Sequence, residues 1–353
     1  MSSRVKALGQ ALGLDRVGVA SPHESAQTLF LSEWLKRGYA GDMEYMSARS
    51  EERASPQRLM PSVRSVIAVA LAHPAPDASG SESDSGAKRR AVAGYAGGED
   101  YHDVLLDRVR ALAEGIKVLA EEAIETRAYV DTGPVLERVF AARAGLGWQG
   151  KNTLLIDPEL GSRLMLGVVL TDLELDFDQP EADHCGTCRA CLDACPTEAL
   201  VEPYVLDARR CIAYTTIESR DATPLELRAP QGDWIFGCDI CQDVCPWNRK
   251  PDEKERPDPL ALRERLRPDP RWVSAELRWV LSLTESDWRE ATRGTALRRS
   301  RYRGLMRNAL VAAGNSGDAA LGPLITPFSE GGDPLLAEHA RWALDRLAED
   351  GRP

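Results

Sequence analysis

All eight cysteines of this 353-residue chain fall between Cys185 and Cys245, and their spacing is where chemistry is most legible. Cys185, Cys188, Cys191 and Cys195 are separated by two, two and three residues, with Pro196 directly after the last. That is the ligand run of iron-sulfur proteins. Cys238, Cys241, Cys245 and Pro246 repeat its tail, and Cys211 stands alone between the two runs. Three cysteines spaced this closely can wrap one cubane within a turn of loop, while the fourth, held by the proline, points to the other cluster. The expected sets are therefore Cys185, Cys188, Cys191 and Cys245 for one [4Fe-4S] cluster, and Cys195, Cys211, Cys238 and Cys241 for a second. Crossing the ligands in this way keeps the clusters close enough for electron transfer.

Structural zinc also favours paired cysteines, and disulfides would need an oxidising compartment. The Cys-Pro endings and the double set favour iron-sulfur over both. Met1 to Leu12 has no apolar stretch of signal-peptide length, so the thiols are expected to stay reduced in the cytoplasm. No run of about 18 apolar residues exists, so no membrane span is expected. The formal net charge of -11 argues against a uniformly basic nucleic-acid binder, though a local basic face remains open.

The elements that must position these groups begin with the first 175 residues, where short apolar runs alternate with amphipathic ones. Arg16 to Ala20, Ser65 to Ala72, Arg127 to Val130 and Leu164 to Thr171 read as buried strands. Asp103 to Glu125 reads as a helix, because Leu105, Val109, Leu112, Ile116, Leu119 and Ala123 mark one apolar face. The alternation argues for an α/β layer architecture. The Ser-, Gly- and Asp-rich stretch from Ala75 to Arg90 reads as a mobile surface loop.

Gly145 to Asn152 spells a dinucleotide fingerprint and nearly a phosphate-cradling loop, but its context is wrong. Both motifs need a strand before and a helix after. Here a helical stretch, Val135 to Ala144, precedes, and a strand-like run, Thr153 to Ile156, follows. The glycines are better read as letting the backbone approach another ligand closely. Just upstream, Asp131 follows a predicted strand, at the edge where open α/β sheets bind ligands; capping the next helix is an equal alternative.

Lys250 to Pro270 reads as a linker or surface strap, and Trp272, Trp279 and Trp288 as core anchors. Between Thr292 and Gly317 there is no acid, but there are Arg293, Arg298, Arg299, Arg301, Arg303 and Arg307. Such a segment suits phosphates, with a solvated helix face as the bland alternative. The helices from Arg303 to Asn315 and from Leu335 to Ala348 look like a helical-repeat unit.

Four strings together resemble epoxyqueuosine reductases over nearly the whole chain: Val130 to Arg138, Ala144 to Asn152, the cysteine runs with Cys211 to Glu218, and Arg307-Asn308-Ala309. The resemblance implies an α/β cobalamin-binding domain over 1–175, a ferredoxin-like two-cluster domain over 176–250, a linker with strap helices over 251–290, and HEAT-like repeats contacting tRNA over 291–353. It implies reduction of the epoxide of epoxyqueuosine in the tRNA anticodon loop, by a monomer fed by a reduced flavodoxin- or ferredoxin-type donor. Base-off cobalamin contacts carried over from the family are Arg53, Ala93, Asp131, Asn152, Leu155, Leu166, Ala213, Ile217 and Gln242. Asp131 becomes the proton donor, which requires burial by the corrin and substrate to raise its carboxyl. Arg298, Arg299, Arg301, Arg303 and Arg307 become tRNA contacts. The sequence around His102 lacks the glycine of the pattern that supplies cobalamin with a lower histidine ligand. A reductive dehalogenase would share the cofactors but carries a twin-arginine export signal, which Met1 to Leu12 lacks; a non-catalytic electron carrier would lack cobalamin.

Overall fold

In the computed structural model the described residues are 1–23, 26–74, 91–249 and 258–350. The expected loop from Ala75 to Arg90 lies outside them, as does the first part of the stretch after Arg249. Four strands, β1 (Arg16–Ala20), β2 (Ser65–Ala72), β3 (Thr126–Tyr129) and β6 (Leu164–Thr171), form one sheet in the order β1-β2-β6-β3. A small second hairpin pairs β4 (Trp148–Gln149) with β5 (Leu155–Ile156).

Every residue of β2 is buried, because the sheet is covered on both faces. Successive side chains of a strand point to opposite faces. Ile67, Val69 and Leu71 meet Val5 of the first helix and Val104, Leu105, Val109, Leu112 and Ile116 of the helix Tyr101–Ala120. Val66, Ala68 and Ala70 meet Val168, Leu170 and Phe140, the last from the helix Glu137–Arg143. The layers are those expected, but every pairing in the sheet is antiparallel. A continuous apolar run reports cover on both faces and says nothing about strand direction. The ligand-edge rule used to single out Asp131 therefore has no parallel sheet to apply to.

The second core gathers the helices Arg301–Asn315, Gly322–Glu330 and Pro334–Asp350 around Leu305, Ala309, Ala312, Ile325, Ala340 and Ala343. Small residues let these helix backbones approach closely, and a Cβ at Gly314 would come within 2.9 Å of the Ala343 backbone. Ala91, Val92 and Ala96 belong to this core, whereas Leu262 and Leu266 insert into the core of the sheet. The two parts are thus laced together by segments lying far apart in the chain. Trp272 and Trp288 are buried in the second core, and Trp279 packs on Trp272 with ring centroids 4.8 Å apart.

Candidate active site

The glycine-rich string serves the chain's own backbone. Gly145, with φ +73°, and Gly147, with φ +146°, sit where a Cβ would lie 2.6 Å from the Gln179 carbonyl oxygen and 2.2 Å from that of Ile156. Close approach is the reason for the glycines, and what approaches is main chain rather than a ligand. Lys151, the would-be phosphate lysine, donates to the carbonyls of Gly186 at 2.5 Å and Cys188 at 2.9 Å, pinning the first cysteine loop. Asn152 is buried and donates to the Cys241 carbonyl at 3.5 Å, touching the second run. One short string ties both cysteine runs to the hairpin.

Cys185, Cys188, Cys191 and Cys245 line one pocket with Lys151, Asn152 and Trp247. Burial, then the nearness of Cys245 and Cys185, pushes the Cys191 thiol up to about 11. Burial likewise raises Cys211, Cys238 and Cys241; Cys195 acts on Cys211, and Cys211 acts on both Cys238 and Cys241. The first four thus share a pocket, and Cys195, Cys211, Cys238 and Cys241 lie near one another, with Cys191 also acting on Cys241. Thiols so crowded ionise together only when bound positive charge offsets them, as metal centres do. Eight thiols, four of them around one pocket, are the donor type that cubanes use.

Asp131 stands in a loop after β3 with φ +54°, a left-handed conformation that Asp tolerates better than most residues. It does not cap a helix, since the next one begins only at Glu137. Its carboxylate meets His102 instead, with Nε2 to Oδ2 at 2.9 Å. The other ring nitrogen, Nδ1, lies 2.7 Å from Oδ1 of Asp100. Asp100 is the N-cap of the helix Tyr101–Ala120 and accepts from the His102 backbone N–H, so the helix start itself aims the imidazole.

Partial desolvation by the surrounding chain, with about half of the side chain still open, would by itself push the Asp131 carboxyl up. The hydrogen bond from His102, its charge, Arg299 and a bond from Tyr101 outweigh that effect and hold it below the usual carboxylate range. This is the state of the carboxyl in the chain alone, whereas the raised carboxyl is expected with corrin and substrate packed over it. Burial disfavours the His102 cation, but the bonds to Asp100 and Asp131 dominate and carry it up to about 9. Sequence reading met His102 only as part of a failed ligand pattern. The available signal was an Asp-x-His at a helix start.

Glu137, Arg53 and Arg138 complete this polar nest. Burial pushes Glu137 up to about 7, helped by the Asp131 charge and opposed by Arg53 and Arg138. Arg53 is buried and donates to the Gly133 carbonyl at 3.3 Å, while its Nε and Oε1 of Glu137 are buried without a partner among the described residues. A ligand offering both acceptors and donors, as amides do, fits two such orphans. Of the other carried-over positions, Ala93, Leu155 and Ile217 are also buried, leaving few atoms for contact, whereas Leu166, Ala213 and Gln242 are half-buried. Ala93 donates to the Phe236 carbonyl at 2.9 Å, and Gln242 accepts from Ser162 at 3.1 Å, so the positions are drawn from all parts of the chain.

The arginine segment departs most from expectation. Arg307 is 1% exposed and donates to the carbonyls of Thr215, Ser219 and Asp221, so it is a structural tie with no surface for a phosphate. Its neighbour Asn308 donates to the carbonyls of Thr216 and Ile235 at 2.8 Å each. Arg299 pairs with Glu218 at 2.6 Å, and Arg303 with Asp333 at 2.6 Å. Counter-charges missing from the segment arrive from elsewhere in the fold. Arg298 and Arg301 are exposed and form no salt bridge among the described residues.

Residues 184–248 match a family model described as 4Fe-4S double cluster binding domain, and residues 53–132 match one described as Epoxyqueuosine reductase QueG, DUF1730. An epoxyqueuosine reductase of Atelocyanobacterium thalassa is 40% identical over 313 residues, covering 88% of this chain and 98% of that one. The chain belongs to the epoxyqueuosine reductase family. A crystal structure of an epoxyqueuosine reductase with an epoxyqueuosine-modified tRNA-Tyr stem loop aligns with a TM-score of 0.87 at 30% identity, over 99% of this chain and 92% of that one. A Bacillus subtilis epoxyqueuosine reductase, described with its catalytic aspartate loop swung out of the active site, aligns with a TM-score of 0.85 at 29% identity over 99% and 92%. No helix among the described residues is long and apolar enough to cross a membrane.

Proposed function

We propose that this chain reduces epoxyqueuosine in the tRNA anticodon loop to queuosine, with two [4Fe-4S] clusters as electron relay and cobalamin as reactive cofactor. The observation that carries the reading is the gathering of thiols from both cysteine runs, Cys185, Cys188, Cys191 and Cys245, around one pocket in a chain of this family. Asp239 links the thiols and Asp131: its charge acts on Cys238 and Cys241 and also on Tyr95, which feels Asp131.

Cys185, Cys188, Cys191 and Cys245 hold one cluster, and Cys195, Cys211, Cys238 and Cys241 the other. The orphaned Nε of Arg53, with Asn152, Gln242 and the backbone at Ala93, Leu155, Leu166, Ala213 and Ile217, contributes to holding cobalamin. Bound there, the cofactors supply low-potential electrons and a reduced metal centre for an epoxide carbon. Asp131, whose side chain is 53% exposed, would protonate the oxygen that leaves. Its placement on a loop agrees with the description of the Bacillus subtilis relative, where a catalytic aspartate loop moves. The terminal helices act as a HEAT-like unit, and Arg298 and Arg301 are the arginines best placed to meet tRNA phosphates, with Arg299 and Arg303 able to do so only by exchanging a carboxylate partner. A reduced flavodoxin- or ferredoxin-type protein in the cytoplasm is the natural source of electrons, and the monomer suffices for all of these contacts.

The test is mass analysis of tRNA nucleosides after anaerobic incubation with the chain, cobalamin and a low-potential reductant. Epoxyqueuosine should lose one oxygen atom, and only when cobalamin is present. Intact epoxyqueuosine with fully loaded clusters would reject the reading.

A further inference from the structure

Both ring nitrogens of His102 face carboxylate oxygens, Nδ1 toward Asp100 at 2.7 Å and Nε2 toward Asp131 at 2.9 Å. An ionised carboxylate only accepts, and a neutral imidazole has one N–H. Two contacts of this length therefore need a second proton, whichever of His102 or Asp131 owns it. The cluster holds one dischargeable proton more than a neutral histidine beside an ionised aspartate would. From this geometry we infer that His102 is the proton store for the reaction, acting through Asp131, which passes the proton from Nε2 to the departing epoxide oxygen. The inference rests on the functional reading above.

The balance closes. Epoxide reduction to an alkene takes two electrons, from the low-potential reductant of the proposed reaction, and two protons, and releases water. The first proton moves from Nε2 of His102 to the ionised Asp131 and from there to the oxygen; the neutral imidazole then recovers a proton from solvent, to which 21% of its side chain is open, and passes it along the same path as the second. Asp100 holds Nδ1–H throughout, so the ring returns to the same orientation. His102 is in this sense a positioning residue that supplies Asp131, while Asp131 touches substrate.

The charged and titratable groups facing the pair come from every neighbouring element. Asp100 and Tyr101 lie at the helix start, and Tyr95 in the segment before it. Arg299 comes from the arginine segment, with its partner Glu218 and with Tyr45, which also feels the Asp131 charge. Glu137 lies beyond Asp131. Arg299 is a fixed cation here and opposes protonation of the pair; the carboxylates favour it. With His102 raised to about 9, the extra proton is present through neutral pH and is lost as pH rises through about 9.

The experiment is the pH profile of kcat for wild type, His102→Gln and Asp100→Asn, with stem-loop affinity measured in parallel. Wild type should be flat through neutral pH and fall near pH 9. His102→Gln should lose at least about tenfold in kcat at pH 7.5 with unchanged stem-loop affinity, and its activity should rise only as the pH falls toward the carboxylate range, where Asp131 itself protonates. Asn still caps the helix, so Asp100→Asn should fold normally and move the alkaline limb down from 9 without abolishing turnover. A His102→Gln enzyme with the wild-type profile and rate overturns the proton store while leaving the functional reading intact. A wild-type chain that leaves epoxyqueuosine untouched overturns that reading instead, and the role of the store with it.

Discussion

The cysteine region and the arginine segment were both read from residue type and spacing, yet they fared differently once folded. Thiols from both runs meet, Cys245 joining Cys185, Cys188 and Cys191 around one pocket and Cys195 lying near Cys211. The six arginines are not a uniform face: one is buried, two are paired with Glu218 and Asp333, and three are open. Ligand spacing is a local constraint, since the loop that wraps a cluster is written in a few consecutive residues. Charge is a tertiary property, because partners come from any part of the chain.

The contrast can be broken first at the crossing. Cys245→Ser should remove the cluster of Cys185, Cys188 and Cys191 and keep the other, with iron falling by about half and turnover lost. Electron paramagnetic resonance of the reduced protein should then show one cluster without its interacting neighbour. Survival of both clusters would mean that the runs are not interleaved.

Next in size is Arg307→Ala. Three carbonyls would lose a buried donor, each at about 1 kcal/mol or more, so thermal unfolding should fall by several degrees. An unchanged melting temperature would return Arg307 to the surface reading. Smaller in stability, but specific in binding, is the double charge reversal Arg298→Glu with Arg301→Glu. The melting temperature should barely move, while stem-loop affinity drops and its salt dependence flattens by about one unit of slope for each phosphate no longer neutralised. Smallest is Arg303→Ala, which breaks an exposed pair with Asp333 and should cost less than about 1 kcal/mol in denaturant unfolding.

Much of the fold was legible because burial leaves a pattern. The strands Arg16–Ala20, Ser65–Ala72 and Leu164–Thr171 coincide with their apolar runs, and the long helix follows its stripe of Leu105, Val109, Leu112 and Ile116. Strand direction was not legible, since Ser65 to Ala72 would read the same in a parallel sheet. The Gly145 to Lys151 string does follow a helix, Glu137–Arg143, as its neighbours implied, but the contacts it makes needed the carbonyls of Gln179, Ile156 and Cys188, which only the fold supplies. The resemblance named Asp131 but not the state of its carboxyl. That state depends on His102, 29 residues earlier in the chain and 2.9 Å away in space.

Everything proposed for this chain requires two cubanes on eight crossed thiolates. Iron and acid-labile sulfide analysis of anaerobically purified protein, with Mössbauer spectroscopy of the iron, tests that most directly. The expected result is about eight irons and about eight sulfides per chain, all in cubane environments. Zinc in their place, or a single cluster in fully loaded protein, would contradict it.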